Sequence, residues 1–122
     1  MAATSVFVFF LALSSLLFAF AGEAPIPKEA MLARGGHLHS FAFLPKTGEF
    51  LVGMHRGLYV SRDRGRTWSP LSPQVEREDI MGLATDAGSQ TIYASGHDIG
   101  VYKSTDGGKS FQPITKGLPH LD

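Results

Sequence analysis

From about residue 37 onward, apolar and polar positions alternate in short runs broken every few residues by Gly, Pro or Asp. Alternation at period two over four to eight residues predicts half-buried strands. The first set of runs covers His37–Leu44, Glu49–Gly53, Gly57–Ser61 and Thr67–Leu71, with Pro45-Lys46-Thr47-Gly48 as a turn and Met54-His55-Arg56 as a loop. A second set covers Asp79–Asp86, Thr91–Ser95, Gly100–Ser104 and Ser110–Ile114, with a turn over Ala87–Gln90 and a loop over Gly96–Ile99. Outside the first 21 residues no apolar period of 3.6 survives ten residues. The pattern predicts an all-β chain.

The two sets superpose as sequence. Ser40-Phe41-Ala42-Phe43 lies over Gly82-Leu83-Ala84-Thr85 at a shift of 42, and His55 lies over His97. One extra residue, Asp98, raises the shift to 43, after which Tyr59 meets Tyr102 and Pro70 meets Pro113. A four-stranded unit of this period is the size of a propeller blade. The organisation expected is residues 1–21 as a signal peptide, 22–36 as a linker, 37–78 as a first blade and 79–122 as a second. An ordinary up-and-down sheet is the alternative architecture.

Between the third and fourth runs of each unit stands a polar octet. The first is Ser61-Arg62-Asp63-Arg64-Gly65-Arg66-Thr67-Trp68, and the second is Ser104-Thr105-Asp106-Gly107-Gly108-Lys109-Ser110-Phe111. Both read Ser-x-Asp-x-Gly-x-[Thr/Ser]-aromatic, with Asp63 and Asp106 43 residues apart. Asp accepts backbone N–H bonds within a turn, and Gly takes a positive φ at little cost. Ser61 and Ser104 can bond the loop backbone, and Trp68 and Phe111 offer large apolar surfaces. A Ca²⁺ loop is a poor match, since one carboxylate falls short of the six to eight oxygens that ion takes.

The octet resembles the Asp-box, or BNR repeat, of β-propellers such as sialidases, sortilin-type receptors, xyloglucanases and photosystem assembly factors. The resemblance implies a propeller in which Ser61, Asp63, Gly65, Trp68, Ser104, Asp106, Gly108 and Phe111 staple hairpins away from the ligand face. The wider layout, His-x-His…His…Asp-x-Met-Gly…Ser-Gly-His…Ser-Thr-Asp-Gly-Gly-Lys, is similar to a group of secreted bacterial propellers labelled glycosyl-hydrolase-like or sialidase-like. A sialidase needs an arginine triad, a nucleophilic Tyr with its Glu, and a Phe/Tyr-Arg-Ile-Pro segment. Ala24-Pro25-Ile26-Pro27 lacks that Arg, so the hydrolase label rests on fold analogy.

The chain has 122 residues with equal acidic and basic counts, 11 and 11, and no cysteine. The balance gives no basic patch for nucleic acid. Without Cys there is no disulfide framework, thiolate metal site or lipid-anchored cysteine. Val6–Ala21 is apolar apart from Ser14-Ser15 and ends in Ala19-Phe20-Ala21, a small-x-small pattern. That reads as a secretory signal peptide cut after Ala21, although Met1–Ser5 carries no Lys or Arg. The localisation expected is secreted or periplasmic, and membrane association would come only from an uncleaved N-terminal segment.

In such a unit the start of the first strand and the loop between strands two and three share one end. That end carries His37, His39, Glu78 and Asp79 at strand starts, and His55, Arg56, His97 and Asp98 in loops. His37-x-His39 places two imidazoles on one side of a strand, and with His55 or Asp79 it would make a His/carboxylate metal site. Otherwise these histidines bond backbone, and the equivalence of His55 and His97 favours a repeated structural role. Asp79 and Asp98 are the weak candidates for a catalytic carboxylate pair, against roles in capping and turning. Tyr59 and Tyr102 would stack on sugar or, more simply, pack between blades. No cofactor is called for beyond that metal.

The function expected is a binding or scaffold propeller that takes a glycan or protein ligand on the face of His37, His39, His55, Asp79 and His97. The alternatives are a glycoside-hydrolase-like enzyme with carboxylates partly in further blades, and a two-blade lectin closed as a homotrimer. Two blades do not close a ring and leave apolar flanks. The expectation is therefore the N-terminal part of a longer propeller, with a homo-oligomer as the other route to closure.

Overall fold

A computed structural model describes residues 23–114 and residue 116. The expected signal peptide and the end of the second repeat, from residue 117, lie outside the described residues. The chain is mostly β, in two antiparallel sheets of five and four strands. The first holds β1 (Ile26–Pro27), β2 (Leu38–Leu44), β3 (Glu49–Met54), β4 (Gly57–Ser61) and β5 (Thr67–Pro70), in the order β1-β5-β4-β3-β2. The second holds β6 (Ile80–Thr85), β7 (Ile92–Gly96), β8 (Gly100–Ser104) and β9 (Gln112–Pro113), in sequence order. Each of the eight strands expected from the alternation is present, to within two residues at its ends.

The stretch expected as a linker is structured. Ile26 and Pro27 pair with Trp68 and Thr67, adding a fifth strand at the outer edge. Proline is tolerated there because an edge strand has a side with no ladder partner to lose. Pro27 then precedes α1 (Lys28–Gly35), and Gly36 ends it at φ 78 with its N–H donated to Leu32 O. Two prolines suggested irregular chain, but a proline just before a helix start is preorganised for it. Met31 supplies the buried anchor, 1% exposed.

Two apolar clusters follow from the alternation. The larger lies between the sheets: Ala42, Leu44, Leu51, Leu58 and Val60 from the first meet Ile80, Ile92, Ala94 and Phe111 from the second, with Val75 between them. The smaller lies on the other face of the first sheet, where Val52, Met54, Tyr59 and Trp68 pack under Met31 of α1. Period two explains this division, since successive side chains point to opposite faces. In the aligned repeats Val52, Tyr59 and Trp68 correspond to Ala94, Tyr102 and Phe111. Thus α1 covers on the first repeat the face that the first repeat covers on the second.

That cover is partial. Leu38, Phe41 and Phe43 are 52%, 58% and 41% exposed. Phe50 stacks on Phe41 and tilts against Phe43, with ring centroids 5.6 and 4.9 Å apart. The segment joining the sheets contains a 3-10 turn at Pro73–Val75, begun by Ser72, whose Oγ accepts from Gln74 N–H. Further ties cross the seam: Thr85 Oγ1 donates to Phe43 O at 3.0 Å, and Phe111 N–H to Gln74 Oε1 at 2.7 Å.

Candidate functional site

β4 runs from the His55–Arg56 turn to the first octet, and β8 from the His97–Ile99 turn to the second. The polar octets and the histidine turns therefore occupy opposite ends of the sheets. The octets are bonded inward. Ser61 Oγ donates to Asp63 Oδ1 at 2.9 Å and accepts from Gly65 N–H at 2.7 Å. Asp63 accepts from the Thr67 amide at 2.8 Å and from its hydroxyl at 2.5 Å. The second octet repeats this with Ser104, Asp106, Gly108 and Ser110 at 2.6 to 3.0 Å.

These bonds hold both carboxyls down to a pKa of about 2. The Thr67 hydroxyl is the main cause for Asp63 and the Ser110 hydroxyl for Asp106, followed in each by that residue's amide. A carboxylate so occupied has little left for a ligand. Trp68 closes its loop by donating Nε1–H to Gly65 O at 3.0 Å.

At the other end three side chains from three elements meet. His39 sits in β2, His55 in the β3–β4 turn and Asp79 just before β6. His39 Nε2 stands 3.2 Å from Asp79 Oδ1, and His55 Nδ1 stands 3.3 Å from Asp79 Oδ2. The imidazoles lie edge to face, centroids 6.2 Å apart. Asp79 Oδ1 is buried and has no aligned hydrogen bond, so His39 touches it without satisfying it.

The local fold explains the meeting. Leu38 faces Met54 and Ser40 faces Gly53, leaving His39 as the extra residue of a β-bulge. A bulge breaks the alternation and re-aims the side chain that sits in it. The expected pairing of His37 with His39 therefore fails, and His37 lies outside the group of possible metal ligands. Asp79 is brought across the seam by a close backbone approach. Gly57 N–H donates to Glu78 O at 2.8 Å, and a Cβ on Gly57 would stand 2.6 Å from Glu76 O. Gly57 also has φ 104, which a side chain would strain. This contact lays the 76–79 segment on the turn that carries His55.

His97 does not repeat the role of His55. Its ring contacts the adjacent Asp98 at 3.1 Å, with both side chains exposed. That bond and the Asp98 charge, with a smaller effect of Asp79, raise the pKa of His97. Asp98 takes φ 66, which is how the extra residue of the second loop is accommodated. Of the weak catalytic candidates, Asp79 contacts His39 and His55, and Asp98 contacts His97. Tyr59 is buried at 5% under α1, and Tyr102, partly buried, packs against the core between the sheets.

Sequence reasoning missed Gln74, whose side chain ties the second octet to the inter-repeat segment. No local pattern marks it. Comparison with known families matches residues 59–70 to the BNR/Asp-box repeat. No curated protein matches the chain.

Proposed function

We propose that this chain supplies two blades of a secreted or periplasmic Asp-box β-propeller that binds a glycan or protein ligand on its histidine-rich face. The observation that carries this reading is the convergence of His39, His55 and Asp79 at the seam between the repeats, away from the Asp-boxes. The matched repeat at 59–70 and its unmatched counterpart at 104–111, which repeats the serine–aspartate and aspartate–hydroxyl bonds, support the blade reading. Exposed Leu38, Phe41 and Phe43 favour a further apolar neighbour against the first blade. The apolar run Val6–Ala21 with its small-x-small end supports export.

A glycan is the first ligand to test, because clustered imidazole and carboxylate acceptors suit sugar hydroxyls in a wet site. The intact protein is applied to a glycan array beside His55→Ala, Asp79→Asn and Asp63→Asn. Loss of binding in the first two, with retention in the third, supports the reading. Retention in His55→Ala and Asp79→Asn moves the ligand off this face.

A further inference from the structure

We propose that His39, His55 and Asp79 form a divalent metal site of the zinc class, assembled across the seam from both repeats. Two imidazole nitrogens and a carboxylate are ligands that suit zinc, and three protein ligands leave a fourth position for water or a ligand group. All three ligand atoms lie within 4.8 Å of one another. Around tetrahedral zinc, with bonds of about 2.0–2.1 Å, ligand atoms stand roughly 3.3 Å apart. His39 Nε2 stands 3.2 Å from Asp79 Oδ1, and His55 Nδ1 stands 3.3 Å from the other oxygen, Oδ2, so the two imidazoles have still to meet on one carboxylate oxygen. His55, with its side chain 52% exposed, is the group that would move to bring the three ligand atoms to that spacing.

Two further observations favour a metal over a simple hydrogen-bonded staple. The first is Asp79 Oδ1, buried with no aligned donor although an imidazole nitrogen is within reach. A buried carboxylate oxygen without a donor is costly, and a cation between the three groups would satisfy it. The second comes from the repeat. The position of His39 is taken in the second repeat by Met81, at the same bulge, between Ile80 facing Gly96 and Gly82 facing Ser95. The bulge therefore does not require histidine. His39 adds a third ligand to the His55–Asp79 pair, and Met81 offers no equivalent beside His97. The metal site belongs to one seam and is not a property of every repeat.

Metal binding is separable from ligand binding and does not rest on the glycan reading. The full chain is titrated with zinc alone by calorimetry, and with cobalt(II) to read ligand-field absorption. One zinc per chain is expected, with a cobalt spectrum of four- or five-coordinate type. His39→Met copies the second repeat and removes one ligand without asking the bulge for a new residue. Asp79→Asn keeps the shape of the third ligand. Each should weaken zinc binding by more than about 100-fold, because even partners one shell out are worth about 10–100-fold. His97→Ala should leave it unchanged. Absence of saturable zinc binding overturns the proposal, as does a stoichiometric site that survives both His39→Met and Asp79→Asn.

Discussion

The two octets share a common set of internal bonds and differ in what surrounds them. In both, a serine hydroxyl bridges to the aspartate, and the aspartate holds the amide and hydroxyl of the residue before the aromatic. Both bend through positive φ at two adjacent residues, Arg64 and Gly65 in the first and Gly107 and Gly108 in the second. The aromatic residues then part company. Trp68 joins the small cluster under α1 and bonds its own loop, while Phe111 enters the core between the sheets and donates its amide N–H to Gln74. One motif thus serves as a self-contained staple at an end of the molecule and as an interface part at the seam. The octet fixes the loop, and the neighbour decides how much stability the loop carries.

The glycines give the widest separation. A Cβ on Gly65 meets only Trp68, at 3.6 Å, whereas a Cβ on Gly108 would run into the side chain of Leu71. Alanine at either position pays for a left-handed conformation, about 1–2 kcal/mol. Gly108→Ala adds overpacking at the seam, another ~1–3 kcal/mol. Chemical denaturation should rank Gly108→Ala clearly below Gly65→Ala in stability. Equal losses would mean that the seam yields, and that the second octet is no more embedded than the first.

Gln74→Ala comes next. It leaves the Phe111 amide without its partner beside a side chain that is 2% exposed. An unsatisfied part-buried donor costs about 1–3 kcal/mol. In the first octet no residue of the joining segment plays this part, so removing a neighbour such as Glu76, exposed on the surface, should change stability by less than about 0.5 kcal/mol. A loss at Gln74 no larger than at Glu76 would reduce the seam to apolar packing alone.

Much of this was legible in the chain, for reasons specific to each element. The strands were readable as short apolar runs bounded by turns and loops, such as Phe50-Leu51-Val52 between Pro45–Gly48 and the His55–Arg56 loop, with Ile92-Tyr93-Ala94 at the equivalent place in the repeat. The octets were readable because their bonds are local, between residues two to four apart. What escaped reading was set by contacts distant in sequence. Helix α1 is eight residues long, too short to show a period, and its place is fixed by Met31 against the far face of β3 and β5. Of the residues the sequence put at that end, the fold groups His39, His55 and Asp79 and leaves His37 outside. Choosing among His37, His39, His55 and Asp79 depended on a one-residue bulge and on the approach at Gly57, and neither leaves a mark in the alternation.

The smallest difference expected between the octets is in their response to acid, because that response comes from the bonds they share. Asp63 and Asp106 both have a folded pKa of about 2, below the ordinary 3.8. A depressed carboxyl pKa favours the folded state fully above the unfolded value. The contribution falls as pH drops from about 4 towards about 2, and it is absent below both values. Denaturation midpoints followed from pH 5 to pH 2 should therefore decline over that window in the parent chain. Asp63→Asn and Asp106→Asn should each flatten the decline by a similar amount, although they differ in neighbours, and the double variant should flatten it twice as far. A decline that flattens with Asp106→Asn alone would show that the seam, and not the octet's own hydroxyl and amide donors, holds the charge in place.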